Sequence, residues 1–163
     1  VRIPPVVLRT TLWLSLGGWV GAWAFFAFVV SRVAFRVLPG DVAGDLAGML
    51  LQTLHFGGAA LALVAAASAF GLGRRGMVVW LPVALAGICL ASEIWLSPAV
   101  AAVRPSALGA ASTAETSLRF SRLHGLSLGL FMFVHLASIG LVALNARLED
   151  RPASLRPERA SPP

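Results

Sequence analysis

Three histidines and one glutamate stand inside long apolar runs of this chain: His55, Glu93, His124 and His135. Histidine is the side chain that ordinarily titrates nearest neutral pH, and with glutamate it can exchange a proton, hold a cation or ligate a metal. An ionisable group surrounded by lipid is costly, so each of these residues needs a partner or a purpose. Two readings are open. In one the groups are structural: Glu93 pairs with an arginine or donates a hydrogen bond while protonated, and the histidines hydrogen-bond across helices. In the other they form a site that binds or carries a small solute or an ion.

On a helix, the eleven residues between His124 and His135 bring the second histidine back to within about 20° of the first, roughly 16 Å further along. The shared face also holds Ser127, Leu128, Phe131 and Ser138. Paired histidines on one helix can serve haem or metal positions in a bundle. Bis-histidine ligation of two haems would need four histidines and the chain has three, so at most one haem b fits, with His55 and either His124 or His135 as axial ligands. Copper would favour soft ligands, but Cys89, Met49, Met77 and Met132 are scattered. If a metal is held at all, His55 and His124 are the candidates. There is no phosphate-binding glycine loop, no nucleophile elbow and no pair of carboxylates for acid/base work. The expectation is therefore a non-enzymatic protein without a cofactor, with haem or copper as the alternative.

Composition says what must position these groups. Apolar residues make up 58% of the chain and charged residues 12%, against roughly 25% charged in a soluble domain. The expected fold is all-α: a polytopic membrane protein with a four-transmembrane-helix bundle in residues 1–146, spans at about 12–35, 46–72, 77–103 and 118–146, and a disordered Arg/Pro-rich tail over 147–163. A signal peptide ending near Ala24 is disfavoured, because the apolar run continues through Phe25, Phe26, Phe28 and Val30. Gly17 and Gly21 form a GxxxG pair, Gly44 and Gly48 another small-residue spacing, and Gly57 and Gly58 suggest a close neighbour at the level of His55. Pro82 and Pro98 should bend or end the third span. Ser112 and Glu115 have capping-box spacing at the start of the fourth. Cys89 is alone in an apolar run and reads as a buried thiol.

With four spans, His55, Glu93 and His124 all lie about 9 to 15 Å inside the same membrane face, while Arg36, Arg104, Arg119 and Arg122 lie close to its surface. The candidate binding site is therefore Arg36, His55, Glu93, Arg122 and His124. All 13 basic residues are arginine and the net charge is +6. They lie between or beside the apolar runs rather than on one solvated face, which argues against nucleic acid. More of them flank the termini and the central loop than the opposite face, so both termini are expected in the cytoplasm, with the chain in the inner (plasma) membrane. The expected partners are the lipid bilayer and either a second copy or a subunit of a membrane complex.

The junction motifs resemble the transmembrane-protein-205-like family, domain of unknown function 4149. They are Phe35-Arg36-Val37-Leu38-Pro39, Leu54-His55-Phe56, Trp95-Leu96-Ser97-Pro98 and Arg122-Leu123-His124-Gly125-Leu126-Ser127. The resemblance implies a four-helix membrane protein and carries its motif histidines onto His55 and His124. Where many members have asparagines, this chain has Ser92 and Phe131. The family is more distantly similar to CopD-like four-helix membrane proteins, some of which handle copper or haem. The motif residue His124 is preferred for the site, and His135 is expected to make a hydrogen bond in helix packing.

Overall fold

Lipid offers backbone amides and carbonyls no partners, so a spanning segment must satisfy them within itself, and a helix does so. The structure, a computed structural model, describes residues 3–104 and 113–150. Among these are four helices long and apolar enough to cross a membrane: α1 (Pro5–Val37), α2 (Gly40–Gly71), α3 (Met77–Ala101) and α4 (Ala114–Glu149). No strand occurs among the described residues. The all-α, four-span architecture read from the composition is the one observed.

The helices outrun the apolar segments because hydrogen bonding continues where the hydrocarbon stops. Pro5 opens α1 and Gly40 opens α2 directly after Pro39. At the far end Arg147, Leu148 and Glu149 continue α4 rather than beginning a tail, while residues 151–163 lie outside the described ones. The start of α4 is capped by Thr113, whose hydroxyl accepts from the Thr116 amide at 3.2 Å while Thr116 Oγ1 accepts from the Thr113 amide at 2.9 Å. This replaces the expected Ser112–Glu115 box, and Ser112 lies outside the described residues. Gly73 (φ 78°) and Gly76 (φ 73°) turn the chain between α2 and α3, a backbone region that disfavours any residue with a Cβ.

Each helix buries one stripe. On α1 it is Leu12, Leu16, Trp19, Trp23 and Phe26; on α2 it is His55 and the small residues Ala59, Ala62, Ala65 and Ala69. Large side chains on one helix facing small ones on the next let the backbones approach, which is how helices gain dispersion contact in lipid. The approach is closest at Gly58, where a Cβ would lie 3.0 Å from Trp19 Nε1 and 3.1 Å from Trp23 Nε1. Gly48 likewise faces the Arg104 guanidinium. Gly17 and Gly21 do not serve this purpose within the chain: nothing lies within 4 Å of a Cβ at either, because the α1 stripe that faces the bundle runs through the tryptophans.

Two π-helical turns interrupt the α-helical spans, at Phe26–Val30 in α1 and Ser92–Leu96 in α3. In the first, the Ser31 amide donates to Phe26 O, and the Ser31 hydroxyl donates at 2.9 Å to Ala27 O, the carbonyl its amide would otherwise serve. The second ends two residues before Pro98, whose missing N–H and ring cannot continue the regular ladder. The helix runs through Pro82 without a break.

Arginines tie both ends of the bundle. Arg104 donates to Asp45 Oδ1 at 2.7 Å and to Gly44 O at 2.9 Å. At the opposite end Arg74 donates to Asn145 Oδ1 and, at 2.8 Å, to Glu149 Oε1, while Trp13 Nε1 donates to Glu149 Oε2 at 3.2 Å.

The glycines therefore divide into two classes. Gly58→Leu should destabilise the protein by about 1–3 kcal/mol through overpacking against both tryptophans, whereas Gly17→Ala should stay within about 0.5 kcal/mol of the parent. Thermal unfolding in detergent compares them directly.

Candidate functional site

The α2 stripe that carries Ala59 and Ala62 continues back to His55, and the α3 stripe of Leu85, Ala86 and Cys89 continues forward to Glu93. Spacing alone therefore turns both ionisable residues toward the other helix. They meet: His55 Nδ1 and Glu93 Oε2 are 2.9 Å apart, at 5% and 8% exposure. Ser97, one turn beyond Glu93, donates its hydroxyl to the same carboxylate oxygen at 3.0 Å. Glu93 lies within the π turn Ser92–Leu96 and Ser97 directly follows it, so the carboxylate stands where the helix ladder changes register. His55 is halfway along α2, and the pair lies about 15 Å from the Asp45–Arg104 ion pair. That is the deep end of the range expected, close to the middle of a hydrocarbon core about 30 Å thick.

Aromatic rings enclose the pair. Trp23 meets the His55 ring edge-on at a centroid distance of 5.9 Å and stacks on Phe131 of α4 at 4.5 Å. Phe131 in turn faces Phe26 at 6.0 Å and His135 at 6.4 Å. Trp19 and Trp23 are fully buried, and their indole nitrogens have no hydrogen-bond partner among the described residues. The site thus combines a buried hydrogen-bonded pair of ionisable side chains with a wall of rings around it.

Of the expected site residues, the structure brings together His55 and Glu93. Arg36, Arg122 and His124 are exposed and stand apart from that pair; His124 stacks on Phe120 at 5.3 Å. His124 and His135 share a helix face, but the buried residues of α4 begin only at Phe131. The first half of the helix has no bundle packed over that face, so one histidine is outside and the other inside. Glu93 pairs with a histidine and not an arginine, since Arg104 is engaged by Asp45 and Gly44. His135 was expected to hydrogen-bond in helix packing, but its Nδ1 has no partner among the described residues and its ring stacks on Phe131.

Trp19, Trp23, Ser97 and Phe131 were not singled out as site residues. Ser97 had a readable signal, four residues after Glu93 on an assumed helix, and the tryptophans had theirs in the i, i+4 spacing with Leu12 and Leu16. Phe131 was visible as a neighbour of His135 on one face and as a departure from the asparagine of the family pattern.

For a metal, no group of three or more His, Cys, Asp or Glu occurs among the described residues. For a haem between His55 and His135, the intervening place is filled by Trp23 and Phe131 stacked on one another. His55 and His124 differ in kind, one buried and one exposed.

Among known proteins, the family model for a domain of unknown function, DUF4149, matches residues 14–109. The match takes in the first three helices with the His55–Glu93 pair, and α4 lies beyond it. No curated protein and no solved structure matches the chain.

Breaking the buried pair should be costly. Glu93→Ala leaves the imidazole unpaired and should cost about 3–5 kcal/mol, whereas replacing both residues by leucine should cost less than the single change. A double-mutant cycle by denaturation in detergent measures the coupling. His124→Ala, at an exposed ring, should stay within about 0.5 kcal/mol of the parent, and Phe131→Ala should lose about 3–5 kcal/mol.

Proposed function

This chain belongs to the DUF4149 family, and from that premise we propose that it is a multi-pass membrane protein whose His55–Glu93–Ser97 unit is a proton-exchanging site for handling a small solute or ion. The observation that carries the reading is the 2.9 Å His55–Glu93 contact, buried near mid-membrane. A histidine hydrogen-bonded to a carboxylate places a proton donor beside a proton acceptor. Well-packed apolar residues would fill the same space at no greater cost to stability, so a role in chemistry is the better reason for keeping a charge-capable pair there.

The low exposure of both residues calls for a movement that admits water or solute. Two features favour one near Glu93: the π turn before Pro98, a place where a helix can change register, and the thinly packed first half of α4. We place both termini in the cytoplasm, on the arginine distribution, and the protein in the plasma membrane. The exposed glycines at 17 and 21 offer a face for a second copy. The transmembrane-protein-205-like and CopD-like resemblances support a four-helix membrane scaffold. Haem or copper binding takes second place to proton exchange, because the histidines that the resemblance selects lie in different environments.

Vesicles containing the purified protein and an internal pH-sensitive dye test the reading. Proton flux under an imposed gradient should exceed that of protein-free vesicles and fall to their level in Glu93→Gln. Infrared difference spectra after a pH jump should show a carboxyl band that the same substitution removes. Flux equal in all three vesicle types, together with no such band, would overturn it.

A further inference from the structure

On the lipid-facing side of the bundle, α3 and α4 leave a groove of about 300 Å³, lined by Ala91, Trp95 and Leu96 of α3 and by Leu126 and Leu130 of α4. Ser92 is the polar residue in an otherwise apolar lining. The α4 wall does not stop at the groove. Arg119, Arg122, Leu126 and Leu130 follow at steps of three, four and four residues, so at about 100° per residue they occupy one arc of roughly 80°. The stripe that lines the groove thus runs up to two arginines, both exposed.

These arginines differ from others near the membrane surfaces. Arg74 and Arg104 are paired with carboxylates, and Arg32 and Arg75 lie over the rings of Phe28 and Phe70. Arg119 and Arg122 have no hydrogen-bond or ion-pair partner among the described residues. Leu126 and Leu130 lie about 10 and 16 Å deeper than Arg119 along the helix, which is about the depth of one leaflet's hydrocarbon. A ligand matching this site is apolar over that depth and anionic at the surface. Arginine suits such an anion, because its planar donors pair with phosphate oxygens in twos.

We propose that the α3–α4 groove binds one anionic phospholipid, with an acyl chain between Trp95 and Leu130 and the headgroup phosphate against Arg119 and Arg122. The charge at the groove mouth selects this occupant over a second copy of the chain, which would bring the same arginines to its own surface. The assignment is independent of proton exchange at His55 and Glu93.

Native mass spectrometry of the full chain in detergent tests it, with phosphatidylglycerol and phosphatidylcholine of identical acyl chains as probes. The protein should retain one phosphatidylglycerol in preference to phosphatidylcholine. An Arg119→Gln/Arg122→Gln double variant should weaken phosphatidylglycerol retention about 30-fold, since each basic residue near a membrane surface contributes about fivefold, and leave phosphatidylcholine unchanged. Ala91→Phe, which fills the groove, should weaken both. Raising the ionic strength should lower phosphatidylglycerol retention by the unmodified protein, a measurement that needs no variant to fold. Equal retention of the two lipids, insensitivity to salt, or an unchanged double variant would overturn the headgroup assignment. Unchanged retention by Ala91→Phe, or a dimer that forms through this face and excludes the lipid, would overturn the groove.

Discussion

Trp19 and Trp23 stand one turn apart on α1 and press their indole edges against Gly58, and the structure of the core follows from that contact. A glycine there lets α1 and α2 close to within the reach of two large rings, which in turn bury the face of α2 that carries His55. Trp23 then supplies the surface on which Phe131 stacks, drawing α4 into the bundle at that level and bringing His135 with it. In lipid, where apolar side chains gain little by leaving their surroundings, such close shape matching is the main attraction between helices. The ring cluster holds three of the four helices together and shields the polar pair held between α2 and α3.

The polar contacts are distributed to match. At the two ends of the bundle, where headgroups and water can compensate, arginines bridge helices with carboxylates and carbonyls: Arg104 to Asp45 and Gly44, Arg74 to Asn145 and Glu149. In the middle, the ionisable groups that pair are a histidine and a glutamate, joined by a hydrogen bond in which one proton can be shared. Arginine, which stays charged, is kept out of that layer among the described residues. The same logic accounts for Ser97, a neutral donor that fills a second lone pair of the Glu93 carboxylate without adding charge.

The π turn beside Glu93 connects local backbone chemistry to the site. Pro98 removes one donor from the α3 ladder, the Ser97 amide reaches back to Ser92 O, and the Ser97 side chain turns to the carboxylate. In α1, Ser31 repairs the other π turn with its own hydroxyl. Hydroxyl side chains next to an irregular turn thus do different work depending on what lies across from them.

Much of this was legible in the residues. Fifty-eight per cent apolar composition in four long runs means helices in lipid, because no other backbone arrangement of that kind satisfies its own hydrogen bonds there. Counting along the helices also placed His55 and Glu93 at one depth below the same membrane face, and Gly57 and Gly58 announced a close neighbour there. Choosing between His124 and His135 needed more than a helical period, since both project from one face. Their environments differ because the buried residues of α4 begin only at Phe131, and where one helix leaves another is set by packing among all four. The same holds for Arg36 and Arg122, placed at the right depth by counting yet exposed around the circumference of their helices. Depth is a property of a single helix and can be counted along it. Which side chains meet across a gap depends on the rotation and tilt of neighbours, and those are decided by contacts far apart in the chain.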